Sequence, residues 1–183
     1  MLEARMIEHC APTLAGLKTA NLFNYRFYSL QSLECELCEI SGKLNKKGVF
    51  IEVMKLSDTH AMLYVYRRRK LDNDLKKEGV SELLEQYGYT GLHTGECLEC
   101  LKGRLCRQQS FPHEIGVFLG YPLHDVIGFI EQNGKNCKYC GIWKVYADES
   151  EAIKMFARFK KCTTVYTRMF YDGRSITKLT VAA

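Results

Sequence analysis

Cysteine is the residue type whose number and spacing point most directly to chemistry in this sequence. The chain has 9 cysteines among 183 residues, and several form pairs separated by two residues: Cys35/Cys38, Cys97/Cys100 and Cys137/Cys140. Two thiolates at this spacing can bind one metal ion, from one face of a helix or from a tight turn. Because cysteine also packs as a small apolar side chain, the first two pairs are interpreted as core or helix-flank residues.

The pair Cys137/Cys140 has the surroundings that most favour a metal site. Lys138 lies between the two thiols and favours their ionised form. Gly141 follows the pair directly and permits a tight turn. A site with four cysteine ligands needs a second pair, and the spacings along this chain do not match those of a zinc ribbon.

Two pairs of neighbouring residues carry groups used in acid–base or nucleophilic catalysis. His9 precedes Cys10, and an adjacent imidazole can help a thiol to ionise and act as a nucleophile or a metal ligand. His113 and Glu114 follow Pro112 at a predicted helix start, where free N–H groups can bind an anion and either side chain can transfer a proton. The alternatives are structural, since neighbours on a helix do not face each other and a glutamate at a helix start stabilises the helix dipole.

Composition and charge limit the class of protein. Hydrophobic residues make up 46% of the chain and charged residues 26%, as in an ordinary globular protein, and only 3 prolines occur. The length matches a single domain over residues 1–183. The formal net charge is +5, and the basic run at residues 67–70 could contact phosphates but is interpreted as a solvated strand end.

No segment predicts export or membrane insertion. Glu3 and Glu8 interrupt the first apolar residues, so no secretory signal is predicted. The longest uncharged apolar stretch, residues 115–123, is far shorter than the roughly 20 residues that span a bilayer. We therefore expect a cytoplasmic protein without a membrane partner, whose thiols are kept reduced.

The helices that must position these groups are predicted from apolar residues at helical spacing. They cover residues 2–9, 29–41, 71–87, 95–109, 125–131 and 149–171. Pro12 is expected to end the first helix by about residue 11, because proline lacks the backbone N–H that a helix needs. Gly42 is expected to end the second helix, and Gly79 to break the third.

The strands follow from alternating and β-forming residues. Residues 49–56 predict a strand, residues 61–69 its hairpin partner, and residues 141–147 a third strand. The sequence contains no glycine-rich dinucleotide-binding motif, no P-loop and no internal repeat. The pattern predicts an α+β fold, in which a small, mainly antiparallel sheet with one hairpin packs against several helices.

Several stretches together carry a family resemblance: HCAPTLAGLKTANLF (9–23), LYVYRRRKLDNDL (63–75), FPHEIGVFLGYPLHDVIGFI (111–130), GIWKVYADESEA (141–152) and KKCTTVYTRMFYDGRSITKLTVA (160–182). They resemble an uncharacterised family of anaerobic Gram-positive bacteria, domain of unknown function 3793. The resemblance implies a stand-alone cytosolic protein without a known activity, and a flavodoxin-like or iron-handling partner.

The family pattern carries over onto particular residues of this sequence: His9, Cys10, Lys18, His113, Glu114, Tyr121, Lys144 and Cys162. Together with the residue chemistry above, it gives three groups of candidates. The catalytic candidates are His9, Cys10, His113 and Glu114. The cofactor-binding candidates are Lys18, Tyr121 and Lys144. The metal candidates are Cys137, Cys140 and Cys162, with zinc or iron as the expected metal.

Three functions are compatible with these candidates. The favoured hypothesis is a metal- or redox-linked accessory or binding protein that uses cysteine and histidine ligands. The second is a small enzyme that acts on an anionic small molecule with histidine and glutamate as acid and base and cysteine as a possible nucleophile. The third is a nucleic-acid or protein interaction module that uses residues 67–70, although no motif predicts nucleic acid as the partner.

Overall fold

The computed structural model describes residues 1–91, 93–107 and 111–182, and its fold is α+β with 56% helix and 15% strand. The helices are α1 (Leu2–Leu14), α2 (Leu30–Leu44), α3 (Arg68–Leu75), α4 (Val80–Glu85), α5 (Thr94–Arg107), α6 (Ile115–Phe118), α7 (Leu123–Glu131), α8 (Glu149–Tyr171) and α9 (Ile176–Leu179). The strands are β1 (Ala20–Arg26), β2 (Val49–Leu56), β3 (His60–Arg67), β4 (Tyr139–Cys140) and β5 (Lys144–Val145). The predicted fold class is confirmed.

Contacts between residues divide the chain into two compact units. The first unit holds residues 1–71 and 161–183, and the second holds residues 72–160. Helix α8 begins in the second unit and ends in the first. The assignment of residues 1–183 to a single domain stays a prediction. Within the described ranges, no helix is long and apolar enough to cross a membrane.

The sheet of the first unit has the strand order β1-β3-β2, and both neighbouring pairs are antiparallel. The predicted hairpin is confirmed, with Val49 opposite Arg67 at its open end and Leu56 opposite Ala61 at its turn. Strand β1, from a stretch that the sequence left unassigned, pairs with β3 over its whole length. The alternating apolar side chains of these strands join α1, α2 and α9 in the core of this unit.

Helix α1 corrects the prediction that Pro12 ends the first helix. The helix continues through Pro12 to Leu14. Its buried side includes Met6, Ile7 and Leu14, which are fully enclosed in the core. Because burying such side chains yields about 1.5–3 kcal/mol each, their packing outweighs the single hydrogen bond that proline removes.

Gly42 does not end α2, which is a second correction. The helix continues to Leu44, whose side chain is fully buried, and it is followed by a short turn of 3-10 helix. The chain then reverses at Gly48, where the φ of +74° favours glycine. A glycine inside a helix costs only about 1 kcal/mol, so the burial of Leu44 decides where the helix ends.

The second unit contains a small hairpin in place of the predicted third strand. Among the described residues of this unit, β4 and β5 are the strands that pair, and they form a separate two-stranded sheet. The two strands are short because Gly141 and Trp143 between them turn the chain and direct the indole into a small core with Val145 and Phe159. The predicted break at Gly79 is confirmed, since α3 and α4 are separate helices and Gly79 has a φ of +79°.

Candidate ligand-binding site

The second unit contains a cavity of about 410 Å³ whose wall is mainly apolar and aromatic. Its lining includes Phe111, His113, Ile115, Gly116, Leu119, Tyr121, Asp125, Val126, Phe129, Cys140, Gly141, Ile142, Trp143 and Lys144. Phe111 and Ile142 are each 47% exposed and place apolar surface beside the opening. The volume falls within the range of roughly 300–1,000 Å³ that small-molecule sites occupy.

The aromatic wall of the cavity is built around Trp143. Its ring stacks on Tyr121, with centroids 4.6 Å apart and an interplanar angle of 27°. It also meets Phe156 edge to face, with centroids 4.5 Å apart and an angle of 81°. A Cβ on Gly141 would lie 2.2 Å from the Phe156 ring, so only glycine permits this approach. Burial raises the pKa of Tyr121 to about 12, so its hydroxyl stays neutral near pH 7.

Asp125 holds this wall in place from behind. Its carboxylate is buried and accepts hydrogen bonds from the Trp143 indole N–H at 2.8 Å and from the backbone N–H groups of Tyr146 at 2.7 Å and Ala147 at 3.2 Å. It therefore connects α7 to the turn between β4 and β5 that carries the indole and to the residues that follow β5. These bonds to protein donors make Asp125 a positioning residue for the wall.

Lys144 and His113 give the cavity a polar side. The Lys144 ammonium donates to the carbonyl of Gly134 at 2.6 Å and lies 5.8 Å from the centroid of the Phe129 ring. The exposed imidazole of His113 has its centroid 4.9 Å from that of the same ring. Two groups that can carry positive charge thus lie beside one aromatic ring, an arrangement that suits an anionic substituent on an aromatic ligand.

The cavity brings together several residues that the sequence predicted for separate roles. His113, Tyr121, Cys140 and Lys144 all line it. They had been assigned to catalysis, cofactor binding and metal binding, and the structure unites them in one place. Of the predicted cofactor-binding residues, Tyr121 and Lys144 line the cavity, and their role stays a prediction.

Glu114, although adjacent to His113, is buried away from this lining. Its carboxylate accepts from Arg104 Nε at 2.5 Å and from the Tyr89 hydroxyl at 3.1 Å. Arg104 also donates to the carbonyl of Tyr87 at 3.0 Å. Burial, together with the nearby Glu114 charge, raises the pKa of Tyr89 well above its ordinary value. Glu114 is therefore held in an ion pair that joins α5 to the segment after α4 and to the start of α6, which is a structural role.

The other predicted catalytic pair, His9 and Cys10, belongs to the first unit. Cys10 is fully buried, and burial raises the pKa of its thiol well above the ordinary value, although the charge of Lys18 partly offsets this. His9 is exposed and stacks on Phe23, with centroids 5.1 Å apart. Partial burial of its ring and the nearby charge of Arg5 lower the pKa of His9, which disfavours a positively charged imidazole. Neither residue of the pair therefore favours a thiolate at Cys10.

The proposed catalytic four are therefore not united in either unit. His9 and Cys10 lie in the first unit, whereas His113 and Glu114 lie in the second. Lys18, predicted to bind a cofactor, is also in the first unit and is buried, and burial lowers its pKa to about 8.

The predicted metal ligands are divided in the same way. Cys137 and Cys140 lie on the hairpin of the second unit, whereas Cys162 lies on the part of α8 that belongs to the first. Burial raises the pKa of Cys162. Among the described residues, no three His, Cys, Asp or Glu side chains are grouped so that they could hold a metal ion. Cys35 and Cys38 are exposed on α2, as helix-flank residues would be.

Sequence reasoning missed several residues that shape the cavity. Trp143 was included only as part of the predicted strand over residues 141–147, while Asp125 and Phe129 were assigned no role. The available signal was composition: Trp143 is the single tryptophan of the chain and follows Gly141 by two residues, next to Lys144. Such a glycine marks a place where another group approaches the backbone closely.

Comparison with known proteins identifies a family and no activity. A family model described as "Protein of unknown function (DUF3793)" matches residues 6–180. No curated protein and no solved structure matches the chain.

Proposed function

Since the chain belongs to this family of unknown function (DUF3793), its activity has to be inferred from geometry, and we propose that its second unit binds a small planar aromatic molecule with an anionic substituent. The observation that carries the proposal is the cavity built on the stacked rings of Tyr121 and Trp143. Flat aromatic walls favour flat ligands, because offset stacking adds about 0.5–1.5 kcal/mol to the burial of apolar area.

The polar side of the cavity supports the anionic substituent. Lys144 and His113 flank Phe129, while the carboxylate of Asp125 is already engaged by the three protein N–H groups described above. A ligand whose ring stacks against Trp143 can therefore direct a carboxylate, sulfonate or phosphate toward the two basic side chains. The proposal keeps the hypothesis of a binding or accessory protein and gives it a ligand class.

Trp143 provides the test, because it is the single tryptophan and lines the cavity. Its emission should be quenched saturably by anilinonaphthalene sulfonate, an aromatic anion, with a dissociation constant of about 1–100 μM. Titration with FMN and with riboflavin separates the contribution of the phosphate. A cavity of the proposed kind binds FMN more tightly, and Lys144→Met removes that preference. Failure of all three probes to quench the emission saturably would contradict the proposal.

A matched pair of variants shows whether the probe occupies this cavity. Ile142→Glu places a carboxylate at the opening, where the side chain is 47% exposed, and should weaken binding of the anionic probe about tenfold or more. Ile153→Glu is the control, since Ile153 lies on α8, is 40% exposed and is absent from the lining. Equal weakening by both variants would locate the probe elsewhere.

A two-thiolate metal site at Cys137/Cys140 is the second candidate function. Burial comes first among the causes that raise the pKa of Tyr146, and both thiols contribute to the rise, so they lie within electrostatic range of its ring. The Tyr146 hydroxyl is buried without a hydrogen-bond partner among the described groups. Two cysteine sulfurs at this spacing supply half of the ligands of a tetrahedral zinc or iron site, and the remaining ligands have to come from solvent or from a partner.

Anaerobic titration with Co²⁺, followed by Zn²⁺ or Fe²⁺ competition, tests this second candidate. Thiolate-to-cobalt absorption should appear in the wild type and be lost in Cys137→Ser/Cys140→Ser. The control is Cys35→Ser/Cys38→Ser, which removes an exposed pair of the same spacing. Absorption that survives the first double variant rules the site out.

The expected location and partner complete the proposal. The chain has 9 cysteines, an odd number that a disulfide framework within one chain would not use up, and this supports a reducing compartment such as the cytosol. A flavodoxin-like or iron-handling partner, as the family resemblance implies, accords with a bound planar cofactor or with a thiolate site. The flavin and metal titrations above decide between these two links.

A further inference from the structure

The charges of the chain are divided unequally between its two units. The first unit contains 15 Lys and Arg against 8 Asp and Glu, and the second contains 11 against 13. The net charge of +5 is therefore the result of +7 on the first unit and −2 on the second. Because the first unit is assembled from both ends of the chain, dividing the sequence into halves conceals this difference.

Part of this positive charge is concentrated at one place, which we name the basic patch: Lys46, Arg68, Arg69 and Lys70. All four residues are exposed. The backbone N–H of Arg68 donates to the carbonyl of Gly48 at 3.3 Å, so the turn that carries Lys46 adjoins the start of α3. In the described part of the chain, no ion pair joins any of the four to a carboxylate.

Arg67, the first residue of the basic run, does not belong to the patch. Its guanidinium is buried and donates to the carbonyls of Thr13, Leu14 and Val181. The guanidinium of Arg68 instead lies over the Phe50 ring, 5.7 Å from its centroid, and is anchored at the surface. The run that the sequence shows as one block of charge is thus one structural cation followed by three outward-facing ones.

The arrangement of these three cations favours a flexible polyanion. Arg68, Arg69 and Lys70 are successive residues of a helix, so their side chains leave the axis about 100° apart and fan over about 200°. A flat membrane surface can contact only some of these three side chains at once, whereas a single-stranded chain of phosphates can bend around the helix and contact all of them. Guanidinium groups also match phosphate oxygens with two parallel hydrogen bonds.

We propose that the basic patch of the first unit binds the phosphate backbone of single-stranded nucleic acid without reading its sequence. The sequence alone did not favour this partner, because a run of charge is usually a solvated face. The separation of charge between the units and the addition of Lys46 from a distant turn change that expectation. The surface lies in a different unit from the ligand cavity.

The test is fluorescence anisotropy of the full chain with a labelled oligothymidylate of about 20 nucleotides. Four phosphate contacts on a single strand, one for each cation of the patch, give a slope of about −3 for the logarithm of affinity against that of salt concentration. The wild type should therefore bind at low salt and lose about 50-fold in affinity between about 50 and 200 mM salt. The triple variant Arg68→Glu/Arg69→Glu/Lys70→Glu should lose about tenfold or more at low salt and show a shallower slope.

The control variant carries the same change of net charge in the second unit. Lys135→Glu/Lys154→Glu/Arg158→Glu alters three exposed side chains and should keep the wild-type affinity within about twofold. Equal losses in both variants would show that net charge alone attracts the strand and would overturn the assignment to the patch. Absence of binding by the wild type at low salt also overturns it. Competition by polyglutamate as effective, charge for charge, as by unlabelled oligonucleotide would assign the surface to an acidic protein.

Discussion

The two units use their buried charged groups differently. In the first unit a buried cation, Arg67, is 3% exposed and joins segments of backbone, so that the core is closed. Among the described residues of the second unit the buried charges are carboxylates: Glu114 forms an ion pair with Arg104, and Asp125 holds the indole of Trp143 in the wall of an open cavity. The comparison indicates that the buried Arg67 of the first unit closes a core, whereas the buried Asp125 of the second shapes a cavity.

Arg67 explains how the first unit closes. Its Nε donates to the carbonyl of Thr13 at 2.6 Å, and its Nη2 donates to those of Leu14 at 2.6 Å and Val181 at 2.8 Å. The carbonyls of Thr13 and Leu14 lie in the last turn of α1, beyond the reach of the regular helical hydrogen bonds, and the Thr13 carbonyl also accepts from the backbone N–H of Gly16 at 3.1 Å. The backbone N–H of Val181 also donates to the Leu14 carbonyl, so the end of the described chain is held against the end of this helix.

Removal of Arg67 should have the largest effect on stability. Arg67→Met removes three charge-assisted hydrogen bonds to buried carbonyls, of which those of Thr13 and Leu14 keep one backbone donor each, and should lower the free energy of unfolding by about 4 kcal/mol. Urea denaturation measures the change. Arg68→Met, next to it but exposed, is the control and should change stability by no more than about 0.5 kcal/mol. If the two variants are equally stable, Arg67 does not close this unit. If Arg67→Met does not fold, Arg67→Lys replaces it in the test. This variant keeps the positive charge but lacks the branched guanidinium, and it should lower the free energy of unfolding by about 2 kcal/mol.

The ion pair of Glu114 and Arg104 provides the corresponding test in the second unit. Glu114→Gln leaves the guanidinium without its counter-charge and should lower the free energy of unfolding by about 3 kcal/mol. Glu151→Gln removes a carboxylate from the exposed pair with Lys154 and should cost less than about 0.5 kcal/mol. Equal small losses would show that Glu114 is dispensable for stability, and would restore it as a candidate acid or base for the cavity.

Local patterns predicted much of the first unit and of the long helix. The alternation of Val49, Ile51 and Val53 predicted β2 with its observed ends, and the helical repeat predicted α8 over its observed range. The corrected elements are those where tertiary packing overrides a local signal, as at Pro12 and Gly42. The burial that stabilises the helix beyond each of these residues comes from partners distant in the sequence.

The cavity was only partly predictable, for a related reason. Tyr121 and Lys144 were found through a family resemblance, and His113 and Cys140 through their chemistry. Asp125 was not found, because its role depends on a hydrogen bond to Trp143, 18 residues along the chain. Charge segregation was equally hidden, since it appears only when residues 1–71 and 161–183 are known to form one unit.

A substitution at Asp125 can weaken the hydrogen bonds that hold the Trp143 wall of the cavity without removing side-chain volume. Asp125→Asn retains the shape of the side chain but exchanges an acceptor for a donor opposite protein N–H groups. We expect a loss of about 2 kcal/mol in stability and a shifted Trp143 emission. The affinity for anilinonaphthalene sulfonate should fall about fivefold, which is about 1 kcal/mol. Glu131→Gln, an exposed carboxylate-to-amide change on α7, is the control and should leave all three unchanged. A stable Asp125→Asn with wild-type emission would show that the indole is held by packing alone.

The smallest predicted effect concerns two buried titratable groups of the first unit, which act in opposite directions. Burial lowers the pKa of Lys18 from 10.5 to about 8, so between these values the unfolded chain binds more protons. Stability therefore rises with pH across that window. Burial raises the pKa of Cys10 from 9.0, so above about pH 9 the unfolded chain loses a proton that the folded chain keeps, and stability falls.

Together, the two effects should raise the free energy of unfolding by about 0.5–1 kcal/mol between about pH 8 and pH 9. Above about pH 9 the contributions of Lys18 and Cys10 should cancel, so that the free energy of unfolding reaches a plateau. Lys18→Met removes the rise and leaves the fall, whereas Cys10→Ala lets the rise continue toward about pH 10. Other groups that titrate in this range act equally in all three proteins, so the differences between the curves isolate the pair. Parallel curves of unfolding free energy against pH for the three proteins would mean that Lys18 reaches water in the folded state. The first unit would then lack the closed core that distinguishes it from the second.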